Sequence, residues 1–456
     1  MQIDRRTTIA GLLAILSGVA EAAHPDRASA QLRKLKPLVP EEDVLLRIVG
    51  DDAAGTSLIP QIAANLLKLQ GAGNIEILAA PAPWTIQVRG RVLPETDVSI
   101  LIRATTTIEG YEWLSAGKAD VWLAARPATP TEMDGLRAAG KPAFARIARF
   151  ALVVMVHPEN PIRTLTHDQV RDIYVGDVTD WSEVGGHAGP IHPYGRGVGD
   201  DDDGTFSEFF YDGDEVSDMV RHVPLFTDMH REIIRNRHGI GYLSTSHDTG
   251  LKRVELTIDG RTTSLPDAYG LETEDYPLAN ALFLYRLEKP GMDIAEAFVR
   301  EAQSPRSEYL MMRMGFRAAK PQLLWPPHPR PLPSRTELAK FTLNAVRVSI
   351  TIHFPGDADD LDDTALHDIR VLVLYLRRLS IPNGGLVHTC HSEDSGDLAL
   401  NRHISLRLGE IFAAALREEN FVAGELVPLG SALPLADDVT PAGRRANRRI
   451  ETWIRP

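Results

Sequence analysis

Three stretches of this chain carry hydroxyl side chains, two of them together with glycine, in a pattern that suits an anion. Val49–Ser57 lies between a β-rich run and an apolar helical pattern beginning near Leu58. Arg103–Thr107 and Arg196–Phe206 also precede helical patterns, and the third adds the Arg196 guanidinium. A turn of this kind leaves backbone N–H groups free at a helix N-terminus, where the dipole favours negative charge. All three could converge on one small anionic ligand. The alternative at the first turn is that Thr56 or Ser57 only caps the helix.

Two other groups have the residue types for metal chemistry. The run Asp200–Asp203 offers oxygen ligands, but it lacks the alternating spacing of a calcium loop and reads as a solvated acidic loop. His388, Cys390 and His391 suit zinc or copper, with His353 or His403 as further ligands. Neighbouring positions at a strand end seldom converge, so these read as surface histidines beside a lone thiol, and no metal or other cofactor is expected. There is no nucleophile elbow, HExxH or P-loop at the required spacing. The expectation is a non-enzymatic protein with no catalytic residues.

The elements that must position these turns alternate in type. Strand-like runs at Leu45–Val49, Ile75–Ala79, Val98–Ile102, Ala119–Leu123, Ala151–Val156 and Leu282–Tyr285 interleave with helical patterns such as Ser57–Leu69. This order predicts an α/β architecture of parallel sheets covered on both faces. Pro321–Pro333 holds six prolines in thirteen residues and predicts an extended spacer, placed at 319–337. Beyond it, from 338, a strand (Val346–Ile352), a helix (Asp363–Leu379), a short strand (Gly385–His388), a helix (Ala399–Glu418) and two strands (Glu425–Leu429, Arg449–Ile454) predict a small α+β sandwich.

The chain has 456 residues, enough for two to three domains, and 43% apolar content, enough for ordinary cores. Its formal charge of −13 opposes a phosphate backbone, so nucleic acid is not an expected partner. With one cysteine, no intramolecular disulfide can form. Arg5 and Arg6, the apolar run Ile9–Val19 and Ala20–Ala22 have the layout of a secretory signal over residues 1–22. Its twin arginines leave both general and twin-arginine export open. The expected location is the periplasm of a Gram-negative envelope.

Val156–Pro161, Leu165–Gly176 and Thr179–Gly185 resemble the middle region of phosphate-type periplasmic solute-binding proteins. Ala116–Pro127, Asn236–Leu243, Tyr276–Ala279 and Met314–Phe316 match further landmarks over residues 44–318. The resemblance implies a two-lobed periplasmic-binding-protein fold of type II that closes on a phosphate-like oxyanion, with an ABC permease as partner. By the same resemblance the ligand donors are Thr56 or Ser57, Thr106 or Thr107, and Arg196 with Gly204 and Thr205. Asp203 stands where the family has serine, Ala125 replaces a polar residue, and Asp51 and Asp52 occupy the first turn.

The segment 345–455 resembles the OmpA-like peptidoglycan-binding domain through Val387–Thr389, Asn401, Ile404, Ser405 and above all Pro434–Ile450. This implies a cell-wall or envelope tether, with Asp394, Asn401, Arg407 and Arg448 as the residues nearest the wall peptide. Cys390 and Leu408 replace the family's aspartate and arginine. The combined expectation is an anion-capturing protein tethered to the wall. Its rival is an envelope scaffold that kept both folds and lost both ligands.

Overall fold

The computed structural model describes residues 43–325 and 344–455, apart from short breaks at 81, 93–95, 198, 224–225, 248–249, 259–261, 265, 290–293, 356–359 and 382–384. The signal-like segment 1–22 and the proline-rich stretch from 326 onward to 343 lie outside the described residues.

The first lobe is built around β1 (Val44–Asp51), which runs parallel to both its neighbours. A strand flanked in this way is buried on both faces, which is why Leu46, Ile48 and Val49 are all apolar. A short helix α1 (Asp52–Thr56) and then α2 (Leu58–Leu69) follow, and α2 buries Leu58, Ile59, Ile62, Leu66 and Leu67 against the sheet. Next come β2 (Gly73–Ala79), β3 (Thr85–Val92), β4 (Thr96–Thr105), α3 (Thr107–Ser115), β5 (Val121–Ala124) and α4 (Pro130–Ala139). A capping box at Thr129 and Glu132 starts α4.

The crossing between lobes is made by β6 (Pro142–Val156), a fifteen-residue strand with almost every residue buried. The second lobe contains α5 (His167–Val175), β7 (His192–Gly195), α6 (Asp201–Phe210), β8 (Arg221–His222), α7 (Phe226–Arg235), β9 (Gly239–Ser244) and α8 (Ala268–Thr273). The chain returns through β10 (Ala279–Leu287), followed by α9 (Ile294–Ala302) and α10 (Pro305–Arg313). The sheet order β2-β3-β4-β1-β5-β10-β6-β9-β7-β8 is continuous across both lobes. Each lobe has its own apolar core. The expected parallel sheets are therefore corrected to a mixed sheet: β2, β3 and β4 pair antiparallel, and so do the crossing strands β5–β10, β10–β6 and β6–β9.

The expected spacer also needs correction. Its first residues form β11 (Leu323–Leu324), an edge strand on β12 (Val346–His353). The C-terminal unit continues with α11 (Asp363–Leu379), β13 (Leu386–His391), α12 (Leu398–Glu418), β14 (Glu425–Gly430), α13 (Pro441–Asn447) and β15 (Arg449–Ile454). Its sheet runs β11-β12-β15-β13-β14, and both long helices pack on one face through Ile369, Leu372, Leu376, Leu408, Phe412 and Leu416.

Alternate strand residues point the other way. Arg347, Thr351, Thr389, His391, Glu451 and Trp453 are all buried on that second face. Arg347 Nη2 donates to Asp275 Oδ1 at 2.8 Å, and the Thr351 hydroxyl donates to the Thr273 carbonyl at 2.6 Å. The C-terminal unit is thus docked on the two-lobed domain through its polar sheet face. Among the described residues, no helix is long and apolar enough to cross a membrane.

Candidate functional site

The three turns do meet at the cleft between the lobes, but with different atoms forward than expected. In the first turn, Asp51 caps α1 by accepting from the Ala54 N–H at 2.7 Å. Thr56 and Ser57 lie at the far end of that helix. Their hydroxyls donate back to the carbonyls of Asp52 (2.7 Å) and Ala53 (2.6 Å), and Ser57 makes no side-chain cap to α2. Helical structure starts at Asp52, six residues before the apolar pattern at Leu58, so the hydroxyls of both are spent on the helix's own carbonyls rather than on a ligand or a cap.

In the second turn, Thr106 caps α3 by accepting from the Glu109 N–H at 3.1 Å. Thr107 is fully buried, and its N–H and hydroxyl face the cleft. In the third turn, Asp200 caps α6, which places Gly204 and Thr205 within the helix rather than before it. Gly204 is exposed, while the Thr205 hydroxyl accepts from Asn280 Nδ2 at 3.4 Å. The aspartate run is therefore corrected from a solvated loop to a partly buried first helical turn.

The donors that face the cleft are taken by the protein's own carboxylates. Asp201 Oδ2, on the second lobe, accepts from the Thr107 N–H at 2.9 Å and from its hydroxyl at 3.0 Å. The same hydroxyl accepts from the Ala125 N–H at 3.0 Å, so the main chain of Ala125 orients Thr107 where its side chain offers no polar group. Arg196 is 2% exposed and donates through Nη2 and Nε to Asp200 Oδ2 at 2.6 and 3.1 Å. Its Nη2 also lies 3.6 Å from Asp52 across the cleft, while Nη1 is buried with no hydrogen-bond partner.

The electrostatics follow from burial and crowding. Burial, with Asp52 and Asp201 nearby, holds the Asp51 carboxyl well above the usual range. Burial pushes Asp201 up to about 6 against the opposing Thr107 bonds, and burial with Asp200 pushes Asp202 up as well. Burial works against the Arg196 cation, but Asp200 and Asp52 outweigh it. His247 is held neutral by burial and by Arg196, its pKa lowered to about 3.

Tyr242 was not singled out from sequence. Its hydroxyl donates to Asp203 Oδ1 at 2.6 Å and accepts from the Arg196 N–H at 2.9 Å, tying the third turn to β9. The only sequence signal was its place in the Asn236–Leu243 landmark.

In the C-terminal unit, Asn401 is fully buried and accepts from Ser395 N–H at 2.9 Å while donating to Asp394 Oδ1 at 2.7 Å. Asp394 also accepts from the Gly396 N–H at 2.9 Å. Arg448 is buried and donates to Glu393 Oε1 at 2.6 Å. Arg407 is exposed on α12, one position from Leu408, which is in the core. Asp394 and Asn401 are thus brought together, with Arg448 nearby in the Glu393 pair and Arg407 on the outer face.

His388 and His391 are corrected from surface to interior residues. His388 packs on Phe412 on the helix face, whereas His391 faces Thr389 and Glu451 on the other. Strand alternation separates them, and no group of metal-ligating side chains occurs among the described residues.

The two-lobed α/β unit thus brings hydroxyl, amide and guanidinium donors together where its lobes meet. Residues 71–306, more than half the chain, match the family described as the PBP superfamily domain, and the chain belongs to it. That span includes Thr107 and Arg196–Thr205 and leaves out the first turn and the C-terminal sheet.

Among curated relatives, phosphate-binding protein PstS of Bacillus subtilis is 25% identical over 213 residues, 46% of this chain and 68% of that protein. PstS of Pseudomonas aeruginosa PAO1 is 24% identical over 268 residues, 55% of this chain and 82% of the relative. Among solved structures, an ABC-type phosphate transport receptor from Vibrio cholerae is 18% identical with a TM-score of 0.47, covering 60% of this chain and 99% of that one. PstS from Borrelia burgdorferi is 14% identical with a TM-score of 0.42, at 60% and 98% coverage.

Proposed function

We propose that this chain is an exported binding protein for a small, proton-bearing oxyanion of the phosphate type. The observation that carries this reading is the Asp201 carboxylate on the Thr107 N–H and hydroxyl. A carboxylate is itself an oxyanion, held here by a helix N-terminus and a hydroxyl. A free ligand would take that position by displacing Asp201, with Arg196 on its other side. The phosphate-binding names of the relatives agree with this class.

The surrounding carboxylates select the ligand's protonation state. Asp52 and Asp200, the carboxylates beside Arg196, repel a fully ionised anion but accept a hydrogen bond from a P–OH group. Sulfate has no such proton near neutral pH. Titration calorimetry of the exported form with phosphate and with sulfate, at pH 5.0 and 7.5, tests this reading. Phosphate is expected to bind more tightly at the lower pH and to exceed sulfate at both. Absence of heat with both anions at both pH values, in wild type and in Asp201→Ala, removes it.

The C-terminal unit is proposed to act as an OmpA-like envelope anchor, in the service of a periplasmic protein that hands its ligand to an ABC permease. Its Asp394–Asn401 pair supports a wall-peptide contact, whereas the Arg448–Glu393 pair and the outward Arg407 weaken it. Pull-down on purified peptidoglycan, with Asp394→Ala as the comparison, tests the anchor. A second reading, an envelope scaffold that binds no solute, is favoured by the self-occupied donors of Thr107 and Arg196. Flat titrations together with retention on the wall would select it.

A further inference from the structure

A second polar site lies away from the cleft, at the seam where the C-terminal unit docks. A partly open pocket of about 180 Å³ is bounded by the first lobe, the chain entering β11, and α11. Its polar lining comes from Arg146, Arg149, Gln303, Ser304, Lys320 and His367. Ile147, Ile350 and Val371 supply apolar wall. The carboxylates that line it are engaged: Asp368 Oδ2 accepts from Arg146 Nη2 at 2.8 Å, and Glu308 pairs with Lys320.

The two arginines are under-used. Both bond to the same oxygen of Glu274, Arg146 through Nη1 and Arg149 through Nε at 2.9 Å. Arg149 is 2% exposed, and its Nη1 has no partner; Arg146 Nε has none either. A buried guanidinium N–H without an acceptor costs free energy that a bound acceptor would recover. Arg149 thus keeps part of a planar fork that matches a carboxylate or tetrahedral oxyanion.

We propose that this seam pocket binds a small oxyanion, an inorganic one or a short carboxylate, on Arg149, with Lys320 and Gln303 completing the shell. The ligand would bridge the binding domain and the C-terminal unit, because the lining belongs to both. That lining shares no residue with the cleft turns.

The test is calorimetric titration of the full exported chain carrying Arg196→Met, which removes the cleft arginine. Sulfate and acetate are the probes, and they separate an inorganic oxyanion from a carboxylate. At least one is expected to bind saturably, at least tenfold more weakly in Arg149→Met and severalfold more weakly in Lys320→Met. Lys320 is at the exposed rim, so its variant remains informative if Arg149→Met fails to fold. Loss of all saturable binding in the Arg196→Met chain, or binding unchanged in Lys320→Met and any folded Arg149 variant, overturns the proposal.

Discussion

At the scale of single residues, the cleft sets one arginine against a crowd of aspartates, and Asp201 carries the consequence that can be measured. Its carboxyl is raised to about 6 from an ordinary value near 3.8. The folded chain therefore binds this proton more tightly than the unfolded chain, so the ionised form costs stability above about pH 6. That cost fades as pH falls from about 6 to about 4. His247, His388 and His391, lowered to about 3 by burial, act in the opposite sense because unfolding lets them protonate. The informative quantity is therefore the difference between Asp201→Asn and wild type. Asparagine keeps an acceptor for Thr107, so the variant is expected to be more stable by about 1 kcal/mol at pH 7.5 and equal to wild type by pH 4. Thermal melting across that range checks this. Cys390 gives a simpler case: burial pushes its thiol up to about 12, and it sits under Gly409 in the core. A thiol reagent at pH 8 is expected to leave it unmodified until the chain is unfolded.

At the scale of elements, legibility followed the apolar pattern. The boundaries of α11 at Asp363 and Leu379 were readable because an N-capping aspartate precedes a long 3.6-residue periodicity. The strand β3 was not, since Arg89, Gly90 and Arg91 interrupt its apolar run, and only pairing with β2 and β4 makes it a strand. The short helix α1 escaped for a related reason: five residues of Asp, Ala, Gly and Thr carry no periodic signal. That helix moved Thr56 and Ser57 away from the cleft. Which cleft donors were already satisfied was equally hidden, because Thr107 and Asp201 are 94 residues apart. Gly50 marks how tightly these elements are set. It has φ of +144°, and a Cβ there would lie 1.8 Å from the Leu123 carbonyl oxygen on the adjoining strand β5. Gly50→Ala is expected to lose about 3 kcal/mol or more by backbone displacement, read as a lower urea midpoint.

At the scale of the whole molecule, the C-terminal unit touches both lobes, so it bears on how they close. On the first lobe, Arg137 donates to Asp363 at 2.6 Å, Phe144 packs on His367, and Arg146 reaches Asp368. On the second lobe, the Thr440 hydroxyl donates to the Phe209 carbonyl at 3.1 Å, Arg445 donates to Glu208 at 2.6 Å, and Ala436, Ala442 and Ala446 join the lobe's core. Phe209 and Glu208 lie on α6, whose other end carries Asp201 and the cross-cleft bond to Thr107. A rigid helix held at both ends transmits displacement, and a body fixed to both lobes favours the one lobe arrangement that satisfies both sets of contacts. Loosening the outer contacts should therefore loosen the cleft. In the full chain, Asp363→Ala combined with Arg445→Ala removes an ion pair to each lobe at exposed positions far from the cleft, where the direct stability loss is about 1 kcal/mol or less per pair. Hydrogen exchange at the Thr107 amide is expected to rise severalfold in that double variant. Arg171→Ala breaks an exposed pair with Asp214 within the second lobe alone and should leave that amide unchanged. Equal exchange in the double variant and wild type would show that the C-terminal unit rides on the lobes without constraining them.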